Sequence, residues 1–253
     1  MSSPAAPTPG LSVQLYTVRA ALAADLPGTL QRIADIGFRD VEPFGFVDQA
    51  DAYLEGLAAA GLSAPSAHAA LIGQDTAAAF AAAKRLGVQT LIDPMVDRAL
   101  WTRREDVEQT ARQLNEIAAA AAAHGLTVGY HNHWWETENR IDGATALEVL
   151  AGMLDDAVVL EVDTYWADVG GASAPELLRR LGDRVALIHV KDGPATQQNI
   201  DQTAVGSGTL DIPAILAAAP QARRVVELDD FAGDVFDAVR DSYAWMGANG
   251  GAA

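Results

Sequence analysis

The chain has 253 residues, 50% of them hydrophobic and 20% charged, with 22 glycines, 11 prolines and no cysteine. That much apolar content fills a large core, which excludes a disordered tail, a collagen-like fibre and a small stapled scaffold; the lack of cysteine removes thiolate nucleophiles, zinc fingers and iron–sulfur ligation. Lys and Arg number 17 against 34 Asp and Glu, a formal charge of −17 that is repelled by nucleic-acid phosphates and anionic membrane surfaces.

The opening residues, M-S-S-P-A-A-P-T-P-G, lack the basic and apolar regions of a secretory signal and read as a frayed arm over 1–10. The longest apolar run, Ile117 to Ala123, is mostly alanine and far below a membrane span. A soluble, cytoplasmic protein is expected, with no nucleic-acid or membrane partner; self-association into a homo-oligomer is compatible with the sequence.

From residue 11 to 249, short apolar or β-branched runs alternate with longer alanine- and leucine-rich stretches of helical period. The predicted strands are Leu11–Tyr16, Arg39–Pro43, Leu62–His68, Val88–Pro94, Leu126–His131, Ala157–Asp163, Val185–Lys191 and Arg223–Leu228. Their ends are spaced by 25 to 37 residues, room for one helix and two loops at each step. Gly37, Gly61, Gly87, Gly125 and Gly182 each stand between a predicted helix and the next strand, where glycine supplies the left-handed residue that ends a helix. Alternating strands and helices imply parallel pairing through right-handed crossovers. Eight such units in one domain imply an α/β fold, a single closed (β/α)8 barrel. An open doubly wound sheet is the alternative, but no Gly-x-Gly-x-x-Gly turn follows an early strand.

In such a barrel the chemistry sits at the C-terminal strand ends. Those ends carry Gln14 and Tyr16, Glu42, His68, Asp93, the run H-N-H-W-W-E (His131, His133, Glu136), D-T-Y-W (Asp163, Trp166), H-V-K-D (His189, Lys191, Asp192) and Glu227. Four of the five histidines are in this set.

The order H-N-H-W-W-E, D-T-Y-W, H-V-K-D and V-G-S-G-T-L-D (Val205–Asp211) resembles the sugar phosphate isomerase/epimerase superfamily, the xylose-isomerase-like TIM barrels, over nearly the whole chain. The resemblance implies one divalent metal held by Glu136, Asp163, His189 and Glu227. Three carboxylates and an imidazole suit Mn²⁺ first, with Mg²⁺ or Co²⁺ as alternatives. It also implies a metal-dependent sugar isomerase or epimerase that abstracts the proton beside a keto-sugar carbonyl through a metal-stabilised enediolate. The alternative is a lyase on the same scaffold, eliminating or dehydrating a 3-keto-glycoside or inosose, C- or O-deglycosylation included. A DNA-repair endonuclease, also found among such barrels, conflicts with the charge of −17.

Glu227 and Glu136 are candidate acid/base residues, with His133 and His131 as rival bases. Glu138 competes with Glu136 for the metal. Lys191, one of two lysines in the chain, is a candidate to neutralise a substrate oxyanion. Glu42, His68, Trp166 and Tyr16 are candidate contacts to a small keto sugar or cyclitol.

Overall fold

The structure, a computed structural model, describes residues 10–250. Of the expected N-terminal arm, residues 1–9 lie outside the described residues. Eight parallel strands form the barrel: β1 (Leu11–Gln14), β2 (Asp40–Glu42), β3 (Ser66–His68), β4 (Thr90–Asp93), β5 (Thr127–His131), β6 (Val158–Asp163), β7 (Val185–Val190) and β8 (Arg223–Val226). They are ordered β2-β1-β8-β7-β6-β5-β4-β3. Parallel bridges Asp40↔Ser63 and Phe44↔His68 join β2 to the β3 segment and close the ring. This is the (β/α)8 TIM barrel that the alternating pattern implies.

The strands are shorter than the apolar runs that announce them. Pro65 has no N–H to give a ladder, so the run from Leu62 resolves into an isolated bridge at Ser63 and a strand that begins at Ser66. The five helix-ending glycines all take positive φ, from 57° at Gly182 to 129° at Gly37, as the left-handed stop requires.

The main apolar core lies between the strands and the outer helices. A second, small cluster of Ile92, Leu187 and Val225 is separate from it. Leu187, His189 and Lys191 share one face of β7 and its extension, as Val225 and Glu227 do on β8, because side chains alternate across a strand. The apolar cluster therefore underlies a polar layer. Gly129 makes room beside it: a Cβ there would lie 2.6 Å from Ile92 Cδ1. One extra residue of β7 between the partners of Leu160 and Glu161 shifts the β6–β7 register, a device that re-aims side chains at a barrel rim.

Candidate metal centre and cavity

The lower polar layer is a closed network of carboxylates and imidazoles. Glu42 accepts from Gln14 Nε2 at 2.9 Å and from Ser66 Oγ, and lies 2.8 Å from His189 Nε2. His68 Nε2 stands 2.6 Å from Glu161 Oε2 and 3.1 Å from Glu42 Oε1. His131 Nδ1 approaches the same Glu161 oxygen at 3.0 Å, and His189 Nδ1 reaches Glu227 Oε2 at 2.7 Å. All of these side chains are buried. Burial alone disfavours every charge in the set, but mutual attraction outweighs it. His68 and His189 hold Glu42 below the usual carboxylate range despite its desolvation, and Glu161 falls to about 2. Against the same desolvation, Glu161 and Glu42 push His68 up to about 10. His131 goes the other way, lowered by burial and by His189.

Above this layer Lys191 is 1% exposed. Its ammonium stands 2.9 Å from Asp163 Oδ2, 2.8 Å from Glu227 Oε2 and 2.7 Å from Asp229 Oδ2. Burial would lower its pKa, but the three carboxylates raise it well above the ordinary value. Lys191 thus pairs with three acids at the ends of β6 and β8 and not with its neighbour Asp192.

Two sets of donors could hold a cation, each with its atoms within 4.8 Å of one another: His131, Asp163, His189 and Glu227, and His68, His131, Glu161 and His189. One buried oxygen in them, Glu161 Oε1, has no hydrogen-bond partner, and Asp163 Oδ2 faces the Lys191 ammonium. Orphaned buried carboxylate oxygens are costly unless a cation meets them, so the residues fit a divalent metal, and the mixed oxygen and imidazole donors suit a first-row ion. Asp163 is kept in place by its other oxygen, which accepts Trp166 N–H at 2.9 Å.

Asp163, His189 and Glu227 come together as expected from the sequence; Glu136 does not join them. Strand β5 stops at His131, and Trp135–Glu138 forms a single helical turn. That turn carries the Glu136 carboxylate to Tyr130 OH at 2.7 Å and to His133 N–H at 2.8 Å. Burial there raises Glu136 to about 8, against the hydrogen bond from Tyr130. His131 stands in the donor set in its place. Glu138 faces outward, 3.8 Å from Arg98.

Because β5 ends at His131, His131 and His133 do not share a strand face. The His133 ring stacks on Trp135, with centroids 4.3 Å apart and an interplanar angle of 5°. Its side chain is 23% exposed, and Nδ1 has no hydrogen-bond partner. Burial and the charge of Lys191 lower its pKa to about 3, so the ring is neutral at pH 7. Asn132, which the sequence reading passed over, locks this turn to β6: Oδ1 accepts Asp163 N–H at 3.0 Å and Nδ2 donates to Asp163 O at 3.3 Å.

A cavity of about 720 Å³ opens over these residues, with His68, His131, His133, Trp166, Glu227 and Tyr16 on its walls. Glu42, expected as a substrate contact, lies sealed in the network beneath the cavity and not on its wall. Glu161, Asp229 and Gln202 were also missed from the sequence. Glu161 is two residues before Asp163 and shares its strand face, the signal that could have found it. Asp229 takes both Lys191 Nζ and Gln202 Nε2, at 2.7 and 2.8 Å.

Asp192 organises the loop beyond β7. Its carboxylate accepts the backbone N–H groups of Gly193, Gly206, Gly208 and Leu210 at 2.8 to 3.2 Å. A Cβ at Gly208 would run into that carboxylate, which accounts for the V-G-S-G spacing.

The architecture has many solved relatives. One is a sugar phosphate isomerase/epimerase from Parabacteroides distasonis, 24% identical, with 98% of this chain and 96% of that one covered at a TM-score of 0.81. The probable 3-DHS dehydratase AsbF from Bacillus anthracis is 13% identical, with 94% and 98% covered at a TM-score of 0.76. An L-ribulose 3-epimerase is 16% identical, with 94% and 93% covered at a TM-score of 0.68. At these identities the likeness is one of fold. No curated protein matches the chain, and no helix among the described residues is long and apolar enough to cross a membrane. The family profile described as xylose isomerase-like TIM barrel matches residues 30–245, and the chain belongs to that family.

Proposed function

We propose that the chain is a divalent-metal-dependent isomerase or epimerase of an unphosphorylated keto sugar or cyclitol, a reading that needs neither nucleic acid nor membrane. The observation that carries it is the imidazole of His133 on the wall of the same cavity as His131 and Glu227, two members of the donor set completed by Asp163 and His189. A divalent ion in that set, Mn²⁺ before Mg²⁺ or Co²⁺, would supply Lewis-acid polarisation of the substrate carbonyl and so acidify the adjacent C–H.

The chain's own groups divide the remaining work. His133 belongs to neither donor set, so its ring is free to take the proton beside the carbonyl. His131 belongs to both and is committed to ligation. Lys191 holds Asp163 and Glu227 in register and places a fixed positive charge beside them. Neither lysine nor arginine lines the cavity among the described residues, which argues against a phosphate clamp.

A second reading, a lyase that eliminates a group β to the carbonyl, is favoured by one observation. With Glu136 withdrawn to Tyr130, the candidate acid/base pair of Glu136 and Glu227 is broken, and elimination needs only one base beside the carbonyl.

Proton NMR in D₂O on Mn²⁺-loaded protein with a panel of ketoses and 3-keto-glucosides tests both. Deuterium entering beside the carbonyl together with a new isomer supports the first reading, and loss of a leaving group with an enone product supports the second. Turnover that persists in excess chelator would overturn the metal-dependent mechanism altogether.

A further inference from the structure

The cavity wall is divided by strand. The loops after β5 to β8 contribute two histidines, three tryptophans (Trp134, Trp135 and Trp166), Glu227 and Asp229, with Gln197 and Asn199 above them. The loops after β1 to β4 contribute Tyr16, Phe44, Val47, Ala78 and Met95, with His68 at the base and Gln74 and Asp75 beside them. Two of these apolar groups are unusually open for their size: Met95 is 60% exposed and Tyr16 39%. Tyr16 and its neighbour Phe44 are also held in place. Tyr16 packs edge-on against Phe44 with centroids 5.2 Å apart, Arg19 covers Tyr16 at 4.3 Å, and Tyr53 OH donates to Phe44 O at 3.2 Å.

Size points the same way. At roughly 30 Å³ per water molecule, 720 Å³ holds about two dozen water molecules, roughly twice the heavy atoms of a hexose. Cavities of about 300–1,000 Å³ usually enclose ligands larger than one sugar ring. A monosaccharide set against the histidines and tryptophans would leave the wall of Tyr16, Phe44, Val47 and Met95 in water.

We propose that the wall built by Tyr16, Phe44, Val47 and Met95 is a subsite for an uncharged apolar or aromatic substituent, so that the substrate is a sugar ring bearing such a group and not a free monosaccharide. This rests on the proposed function for the placement of the sugar ring, but its own content is that wall of the cavity. A flat aromatic substituent satisfies it best, since Tyr16 and Phe44 offer ring faces and edges and Met95 an adaptable thioether.

The test is calorimetric binding of two unreactive ligands to the Mn²⁺-loaded protein, methyl and phenyl β-D-glucopyranoside. The phenyl glucoside is expected to bind at least ~10-fold tighter, about 1.4 kcal/mol. Tyr16→Ser and Met95→Gln, both at exposed positions, should each reduce that ratio, and the double variant should bring it close to one. Circular dichroism melts of the variants confirm that the fold is kept. Equal affinities in the parent protein, or a ratio that the double variant leaves unchanged, overturn the subsite; a second copy of the chain covering the same wall would give the former. Failure of the deuterium experiment with a retained phenyl preference would remove the proposed reaction and leave the subsite standing.

Discussion

Lys191 and Asp192 are adjacent in sequence, each 1% exposed, and they belong to opposite kinds of buried charge. Asp192 looks into a loop whose four backbone N–H groups saturate its two oxygens. Lys191 looks into the barrel, where it shares Asp163 and Glu227 with a histidine-rich donor set and where Glu161 Oε1, in the layer beneath, is left without a hydrogen bond. A saturated buried charge holds a shape together; an unsaturated cluster is a standing cost that only a ligand relieves. The distinction separates structure from chemistry at two consecutive positions, and substitutions on either side sharpen it.

The largest effect is expected from Asp163→Asn. Losing a ligand oxygen should cut turnover by about 10⁴-fold, about 5.5 kcal/mol in the barrier, with metal affinity lost in the same titration. The fold should not suffer. Burial, opposed by Lys191, raises this carboxyl from 3.8 to about 6. In metal-free protein the group is therefore bound to its proton longer when folded than when unfolded. Its stabilising contribution is complete below about pH 4 and disappears as pH rises through about 6. The variant should accordingly melt no lower than the parent at pH 7 in chelator, and it should lack that part of the pH dependence. A marked drop in melting temperature would place Asp163 with Asp192 as a structural acid.

Asp192→Ala should do the reverse. Four N–H groups lose a charged acceptor, at a cost of about 4 kcal/mol. For a chain of this size that lowers the melting temperature by about 10 °C, with looser protection of 193–210 in hydrogen exchange. Unchanged stability would break the comparison.

A smaller effect is expected from His133→Ala, about 10²-fold in turnover with metal affinity retained, because the ring lies outside both donor sets. Loss of metal together with rate would make His133 a ligand.

The barrel was legible in the sequence because its signals are local: apolar runs at steady spacing and a glycine at the end of five helices, all five with positive φ. Asp163, His189 and Glu227 were legible as well, since each lies at or just beyond a strand end. What escaped depends on how a loop folds. Glu136 is five residues past β5, and the helical turn at Trp135–Glu138 carries it to Tyr130; nothing in H-N-H-W-W-E announces that turn. Glu161 escaped for another reason. It lies inside a strand, one step below the rim, and attention to strand ends alone passes over the layer beneath.

A closed ring of strands has no free edge, so its first rupture has to begin at a join. Seven of the eight joins here are ladders of three or more residue pairs, one of them bulged, and the eighth, between β2 and the β3 segment, consists of the two single bridges on either side of Pro65. That join is the weakest hoop of the barrel. The aromatic and thioether wall of Tyr16, Phe44 and Met95 hangs from loops next to it, whereas the metal donors, apart from His68, hang from the four strands opposite. Local opening of the ring is therefore expected to start beneath the wall of Tyr16, Phe44 and Met95 and not beneath the strands that hold the charged donors.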